Sequence, residues 1–360
     1  MRNQTLVCLV VFLVGLSGGA GATRLYVDID SAIETPDGLS WARAFPSLQD
    51  AVEELHGVIG SHQVWVAEGT YAELRDATTG ALNIPANVAF YGGFAGSEAN
   101  LADRDWETHV TVIDGSQARP GPRPGSRVPA VHVVEGASGC RLDGFTVTGG
   151  VAEGDGDTAS GRGAGFYLDG LAGSATVANC IFLENSATRG AGAAVNNSTV
   201  TFSNCAFESL DSAGLGAALY SVDSSATLSD CTLTANTAGE GGGVYADNSV
   251  LSLTGCTLTQ NSATAGMAGA LFALNCTDGG GAGVSLANTV ILDNTSAGFT
   301  GGVYLGTCTA EMTNVLFAGN ASGVSELTGR LPAGAIYNQR GSLDAFNCTF
   351  ADNRAGSGAA

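Results

Sequence analysis

The sequence contains no lysine, so all 14 of its cationic residues are arginine. They are outnumbered by 34 aspartate and glutamate residues, which give the chain a formal net charge of −20. A negative surplus of this size opposes the binding of nucleic acids and of anionic membrane surfaces. It is compatible with divalent cations such as calcium. We therefore expect no nucleic-acid partner.

Long apolar runs are also scarce, because after residue 22 no stretch is long enough to span a bilayer. Residues 1–22 hold the one notable apolar run, with Arg2 before it and small residues at its end. This is the pattern of a secretory signal peptide that is cut after Ala20 or Ala22. It predicts a protein that is secreted or displayed at a cell surface, with no transmembrane segment once the signal is removed.

Helical periodicity is nearly absent, and a repeat of about 25 residues is found instead from about residue 165 onward. Its most regular mark is a small or polar residue followed by cysteine. This cysteine slot recurs as Cys180, Cys205, Cys231, Cys256, Thr289, Val315 and Cys348. A period of this size is typical of a stacked repeat.

The residues before each slot alternate between apolar and polar. The apolar position three before the slot is held by Val177, Phe202, Leu228, Leu253, Leu286, Met312 and Ala345. A period of two predicts a half-buried strand. A short unit with such strands and glycine-rich corners predicts one coil of a parallel β-solenoid. Equivalent residues of successive coils would then stack about 4.8 Å apart.

An asparagine five residues after the cysteine slot is a second regular feature. It appears as Asn185, Asn236, Asn261, Asn294, Asn320 and Asn353, and Leu210 replaces it once. Asparagine tolerates the left-handed backbone of a tight corner, and stacked amides can hydrogen-bond along a solenoid. We interpret this slot as a structural ladder and the cysteine slot as a column of buried free thiols.

Several segments resemble a known repeat family. Phe182-x-x-Asn185 and Phe317-x-x-Asn320, beside Gly-Gly-Gly-Val244 and Ala-Gly-Ala-Ile336, resemble the repeats of polymorphic outer-membrane proteins. More broadly, the chain resembles bacterial right-handed parallel β-helix repeat proteins of the pectin-lyase-like superfamily. The resemblance implies an all-β, right-handed parallel β-helix (solenoid). It implies little about function, because this fold hosts lyases, hydrolases, adhesins and autotransporter passengers.

Residues 23–120 lack the repeat, and we interpret them as an N-terminal cap with the first coils. Residues 121–360 are then the β-helix repeats, which end in the middle of a coil. Ser47-Leu-Gln-Asp50 resembles a capping box and predicts one short α-helix through Leu55, ending near Gly57. Such a helix would cover the open core of the first coil, as terminal units of solenoids do.

Two groups of acidic residues are candidate sites. Glu153, Asp155 and Asp157 carry carboxylates two positions apart, as calcium-binding loops do, although no glutamate follows at the spacing of an EF-hand. Glu311 and Asp344 occupy one outward row in adjacent coils, which predicts carboxyl groups about 5 Å apart, as in a retaining glycosidase. A solvated loop and an incidental exposed pair are the simpler alternatives.

A row of hydroxyl residues follows one outward face over five coils. Its members are Thr176, Thr201, Thr227, Ser252 and Ser285. A flat, weakly polar face of this kind suits a regular ligand such as a polysaccharide or ice, or another cell-surface ligand. Threonine is also simply a favourable outward residue in a strand, which is the alternative interpretation.

Cys276 and Cys308 are predicted to form a disulfide. Each follows, by four residues, an aromatic residue that holds the same position in successive coils, namely Phe272 and Tyr304. The two cysteines should therefore stack with Cα atoms about 5 Å apart, within the range of a disulfide. Export supplies an oxidising compartment. The bond would pin the base of an insertion at residues 277–283, and two free thiols are the alternative.

The function that these features favour is a non-catalytic, adhesin-like binding or structural role. The alternative is an extracellular carbohydrate-active enzyme, either a polysaccharide lyase or a glycoside hydrolase. In the β-helix superfamily that this chain resembles, the enzymes that cleave uronides use an arginine or lysine base with clustered acids and often calcium. Because the chain has no lysine, a lyase that uses a lysine base is excluded. No cofactor is expected apart from calcium at the acidic loop. A groove with acids converging on an arginine would favour the enzyme, and no sequence motif indicates one.

Overall fold

The computed structural model describes residues 23–75, 77–279, 281–323 and 332–356. The predicted signal peptide at residues 1–22 lies outside these ranges. The described chain winds as a series of coils, and a regular coil contributes one short strand to each of four parallel sheets. The strands of neighbouring coils pair in register, so the architecture is a parallel β-helix. Among the described residues, no helix is long and apolar enough to cross a membrane.

Along one coil the chain passes through the sheets that we call sheet 1, sheet 2, sheet 3 and sheet 4. Sheet 1 comprises Arg24–Val27, His62–Ala67, Val88–Phe94, Arg141–Asp143, Ser174–Ala178, Thr199–Ser203, Ser225–Ser229, Val250–Thr254, Val284–Ala287, Thr309–Thr313 and Ser342–Phe346. Sheet 2 comprises Gly69–Tyr71, Thr111–Asp114, Thr146–Thr148, Ile181–Leu183, Ala206–Glu208, Thr232–Thr234, Thr257–Thr259, Val290–Leu292, Leu316–Ala318 and Thr349–Ala351.

The two remaining sheets close the coil. Sheet 3 comprises Val151–Ala152, Ser186–Arg189, Asp211–Leu215, Thr237–Glu240, Ser262–Met267, Thr295–Ser296 and Ala321–Ser322. Sheet 4 comprises Leu82–Asn83, Val134–Glu135, Phe166–Asp169, Ala193–Asn196, Leu219–Val222, Val244–Asp247, Leu271–Leu274, Val303–Gly306 and Ile336–Gln339. Two small hairpins project from the coils, Arg119–Pro120 with Arg127–Val128 and Thr277–Asp278 with Gly281–Ala282. The 3-10 helices are Trp41–Arg43, Leu101–Asp103 and Ala159–Gly161.

The core is a set of stacked columns, because each strand places alternate side chains inward. In sheet 1, Val177, Phe202, Leu228, Leu253, Leu286 and Met312 follow one another in register. All of them are buried. The sheets also cross the boundary at residue 120 without interruption, since Val88–Phe94 pairs directly with Arg141–Asp143.

The predicted cap helix is present as α1, Leu48–Glu54. The side chain of Ser47 accepts a hydrogen bond from the backbone N–H of Asp50 at 3.1 Å, as the capping motif predicts. Leu48 and Ala51 are fully buried and belong to the same apolar core as the first strands. The helix therefore covers the end of that core.

The asparagine ladder is confirmed as a stack of amides, but its position in the corner differs from the expectation. Asn261 is fully buried, and its Nδ2 donates to Oδ1 of Asn294 at 2.9 Å. The left-handed backbone belongs instead to the residue before each ladder position, such as Gln260 with φ 56°. That turn directs the following asparagine inward, where its amide satisfies polar groups that a turn leaves unpaired.

Candidate functional site

The acidic loop directs its carboxylates to separate partners. Asp157 Oδ1 accepts from Arg189 Nη1 at 2.8 Å, and Asp155 Oδ1 accepts the backbone N–H of Asp157 at 3.0 Å. The Ser186 hydroxyl donates to Glu153 Oε1 at 3.5 Å. Within the described ranges, no three His, Cys, Asp or Glu side chains are grouped so that they could hold a metal ion. Calcium binding at Glu153, Asp155 and Asp157 stays a prediction.

Glu311 and Asp344 lie directly opposite each other on adjacent strands of sheet 1, as their spacing predicts. Both side chains are exposed. In the part of the chain that the structure describes, neither forms a side-chain hydrogen bond that would fix its position. A glycosidase pair places one carboxyl group in a less polar, partly buried environment. This pair lacks that environment, and its catalytic role stays a prediction.

The hydroxyl row is continuous in the structure. Thr176, Thr201, Thr227, Ser252 and Ser285 pair in register on the outward face of sheet 1. All five are half-buried, and none of their hydroxyl groups bonds to another described residue. The row is flanked by Arg141 on one side and Glu311 on the other. Its role in binding stays a prediction.

Cys276 and Cys308 stack in adjacent coils, as expected from their positions after paired strands. Both are buried, and the backbone N–H of Cys276 donates to Sγ of Cys308 at 3.4 Å. The structure holds both as free thiols. The neighbourhood that a disulfide needs is therefore present, whereas the bond itself is not formed in this structure and stays a prediction.

A buried ion cluster, which the sequence analysis missed, lies on the outward face of sheet 1 near its N-terminal end. The side chain of Asp143 is 2% exposed. Its Oδ1 accepts from Arg104 Nη2 at 2.5 Å and from Asn179 Nδ2 at 2.7 Å. Its Oδ2 accepts from Arg141 Nη2 at 2.6 Å and Nε at 2.9 Å. A carboxylate that accepts four hydrogen bonds holds the side chains that donate them in fixed positions.

Arg104 reaches this cluster from the loop between Val88–Phe94 and Thr111–Asp114. Its guanidinium carbon lies 5.1 Å from the ring centre of Tyr91 and 4.9 Å from that of Trp106. Gly144 makes room for it, because a Cβ atom there would lie 2.9 Å from Arg104 Nη1. Gly144 also has φ +83°, a conformation that favours glycine. The loop and the strand are thus locked together through one arginine.

A corner groove of about 370 Å³ begins beside Trp106 and follows the corner between sheets 1 and 2. It is lined by Trp106, Glu107, Asn179, Asn204 and Asp230, together with Val110, Thr111, Gly144, Phe145, Thr146, Cys180, Ile181, Cys205, Ala206 and Thr232. The indole of Trp106 is half-buried, so part of its surface faces the groove. The groove therefore combines an aromatic wall with a polar floor.

The polar floor is a ladder that starts at Asp143. Asn204 Nδ2 donates to Asn179 Oδ1 at 2.8 Å, and Asn179 in turn donates to Asp143. Asn179, Asn204 and Asp230 have φ values of 51°, 52° and 54°, the left-handed corner conformation that asparagine and aspartate accept. Their side chains consequently project from the corner at intervals of about 4.8 Å. Such a ladder offers amide and carboxylate groups to a ligand rich in hydroxyl groups.

One signal in the sequence could have indicated part of this site. Arg141 and Asp143 occupy the two outward positions of a sheet 1 strand, where the next coil has Thr176 and Ala178. Charged residues at these two positions depart from the repeat, because the following coils have hydroxyl or small residues there. The loop that carries Arg104 has no periodicity, so its contribution was not visible.

Residues 133–273 match the sequence profile of a right handed beta helix region. This chain contains a right-handed β-helix. The predicted right-handed parallel β-helix is thereby confirmed for the repeat region, whereas the finer resemblance to polymorphic outer-membrane repeats is not tested by this match. None of the curated proteins matches the chain in sequence.

Several solved structures are similar in overall course. The pectin methylesterase from Aspergillus niger is 16% identical with a TM-score of 0.38, and the alignment covers 95% of this chain and 92% of that one. Pectin methylesterase PemA from Erwinia chrysanthemi is 11% identical with a TM-score of 0.41, covering 93% and 90%. At these identities and scores the similarity concerns the fold and transfers no site to this chain.

Proposed function

We propose that this protein binds an extracellular polysaccharide in the corner groove. The observation that carries the proposal is the half-buried indole of Trp106 beside the ladder of Asn179, Asn204 and Asp230. An aromatic wall with a few fixed polar groups is the usual composition of a ligand site. The ring covers the apolar face of a sugar, while amides and carboxylates bond to its hydroxyl groups.

The rigidity of the groove supports this role. Its floor is anchored to the buried Asp143 carboxylate, and its aromatic wall is supported by Arg104, whose guanidinium faces the Trp106 ring. Groups held in place before binding lose little conformational entropy when the ligand arrives. Export through the predicted signal peptide would bring the protein to extracellular polysaccharides.

A carbohydrate-active enzyme is the second candidate, and one observation favours it. Glu107 and Asp230 both line the corner groove, so the groove carries two carboxyl groups. Glycoside hydrolysis needs two carboxyl groups that flank the scissile bond. The adhesin-like role stays a prediction without an observation that favours it over these two.

The test is a binding titration with a panel of xylan, glucomannan, alginate and polygalacturonate. We expect at least one of them to bind the purified protein, and Trp106→Ala to weaken that binding about tenfold or more, because a tryptophan that packs against a ligand contributes strongly to affinity. Phe346→Ala is the matched control, since Phe346 is an aromatic residue that is 58% exposed in the last strand of sheet 1 and does not line the groove. Equal affinities of wild type and Trp106→Ala, or no binding to the whole panel, would contradict the proposal.

The same protein separates the two candidates. A binding protein leaves the bound polysaccharide intact, and Glu107→Gln or Asp230→Asn then changes affinity alone. An enzyme produces shorter chains or new reducing ends, and one of these two substitutions abolishes the product while binding persists. Product formation that survives both substitutions would exclude these carboxyl groups as the catalytic pair.

A further inference from the structure

A second cavity lies on the other side of the Asp143 cluster. This face cavity, of about 350 Å³, is open to the outward side of sheet 1. It is lined by Ser61, His62, Gln63, Asn87, Ala89, Tyr91, Gly139, Cys140, Arg141 and Thr176. Its composition repeats that of the corner groove, because an aromatic ring again faces amide and hydroxyl groups.

The two cavities share one wall. Arg104 lies between the rings of Tyr91, which lines the face cavity, and Trp106, which lines the corner groove. Along the strand, Arg141 borders the face cavity and Gly144 borders the corner groove. Three residues of extended chain separate them by about 10 Å. A single polymer could therefore reach from one cavity into the other.

Asp143 also forms hydrogen bonds with one residue of each cavity. It holds Asn179 of the corner groove through Oδ1 and Arg141 of the face cavity through Oδ2. Arg141 uses Nε and Nη2 for this contact, and its Nη1 has no partner among the described residues. The side chain of Arg141 is 36% exposed, so this nitrogen remains a donor for a ligand oxygen.

We infer that the corner groove and the face cavity form one extended polysaccharide site that runs across sheet 1 along its strands, with Asp143 as a positioning residue beneath it. The ligand is then a chain long enough to occupy both cavities, with its middle sugars passing over the loop that carries Arg104 and covers Asp143. This inference rests on the proposed function and adds the direction of the ligand and its minimum extent.

The experiment compares oligosaccharides of increasing length, prepared from the polysaccharide of the panel that binds most tightly. Thr176→Trp fills the face cavity, and Thr201→Trp is its matched control, because Thr201 holds the same row one coil further on and does not line the cavity. Wild-type affinity should rise with length and then level off. Thr176→Trp should bind the long chain about tenfold more weakly than wild type does. It should bind the shortest binding fragment with the affinity of wild type.

A second variant guards against a local rearrangement caused by the new tryptophan. Arg141→Gln removes the free donor of the face cavity, and it too should weaken only the long chain. Melting curves establish that each variant is folded. Affinity that is independent of length, or long-chain binding unaffected by both substitutions, overturns the extended site while Trp106→Ala still reports on the corner groove. If Trp106→Ala changes no affinity, the proposed function fails and this inference fails with it.

Discussion

Two parts of the outward face of sheet 1 have the same backbone arrangement but carry different kinds of side chain. In the first coils one outward row reads Tyr26, Trp65, Tyr91 and Asp143. In the following coils the same row continues as Ala178, Ser203, Ser229 and Thr254. The strand pairing is parallel and in register in both parts. The solenoid therefore sets where outward side chains lie, and leaves their chemistry free.

The difference follows from what covers each part. The loop between Val88–Phe94 and Thr111–Asp114 folds over the first coils and brings Arg104 and Trp106 onto them. In the described chain the hydroxyl row has no such cover, and its members remain half-buried. Covered outward positions can hold aromatic rings and a buried ion cluster, whereas uncovered ones hold small polar residues. Single contacts should thus contribute more to the free energy of unfolding in the first part, whereas repeated contacts should contribute more in the second.

The largest effect is expected at Asp143. Asp143→Ala would leave Arg104, whose side chain is 8% exposed, as an unpaired buried charge, so the free energy of unfolding should fall by about 3–5 kcal/mol. Urea unfolding followed by circular dichroism measures this. Asp344→Ala, on an exposed position of the same sheet, should change it by less than about 0.5 kcal/mol. Equal losses in the two variants would remove the distinction between the two parts.

The next effect concerns the repeat region and the Cys276–Cys308 pair. In protein exported to an oxidising compartment, we expect non-reducing peptide mapping to find these two cysteines linked. The bond should raise the free energy of unfolding on the order of 3 kcal/mol over the reduced form. Cys205 and Cys231, in the neighbouring column, serve as the control and should be recovered alkylated. Recovery of Cys276 and Cys308 as alkylated thiols would refute the disulfide.

A smaller effect is expected within the asparagine ladder. Asn261→Leu removes the acceptor of the backbone N–H and Nδ2 of Asn236, and it removes the side-chain donor to the Leu233 carbonyl oxygen, which should cost about 1–3 kcal/mol. Asn353→Leu, in the last described coil, is the control and should cost less, because Asn353 is only half-buried. The natural Leu210 shows that one apolar rung is tolerated. A loss at Asn261 no larger than at Asn353 would mean that ladder position does not matter.

The smallest effect is a pH dependence in the cap. Burial raises the pKa of Glu73 above its ordinary value of 4.5, and it outweighs the backbone hydrogen bonds from Leu48 and Gln49, which lower this pKa. The folded state therefore holds the proton more tightly than the unfolded state. The stabilisation is complete below about pH 4.5 and is lost as the pH rises through the raised folded pKa.

The measurement for Glu73 is the midpoint of urea unfolding of wild type and Glu73→Gln from acid to neutral pH. Wild type should lose stability relative to this variant as the pH rises from about 4.5 upward. Glu53→Gln, on the exposed side of the same helix, should run parallel to wild type. If wild type instead became more stable relative to Glu73→Gln as the pH rises, the hydrogen bonds, and not burial, would dominate the pKa of Glu73.

Much of the fold and little of the candidate site could be predicted from the sequence. Cys276 and Cys308 were predictable as neighbours in adjacent coils, because each follows by four residues an aromatic residue at one repeat position, Phe272 or Tyr304, and residues at one repeat position must stack. The cap helix follows from Ser47 and its apolar face. By contrast, the contact between Arg104 and Asp143 joins a loop without periodicity to a strand 39 residues away. No local pattern encodes such a contact.

The sequence by itself determined the repeat, the alternation of inward and outward residues, and therefore the coil of the β-helix. These properties depend on spacing alone, since a half-buried parallel strand requires alternation and stacking requires a constant period. Only the tertiary structure decided that the ladder asparagines point inward, because the left-handed residue lies one position earlier. It also decided that Trp106, Asn179 and Asp230 share one groove, because that depends on how a loop packs on the finished solenoid.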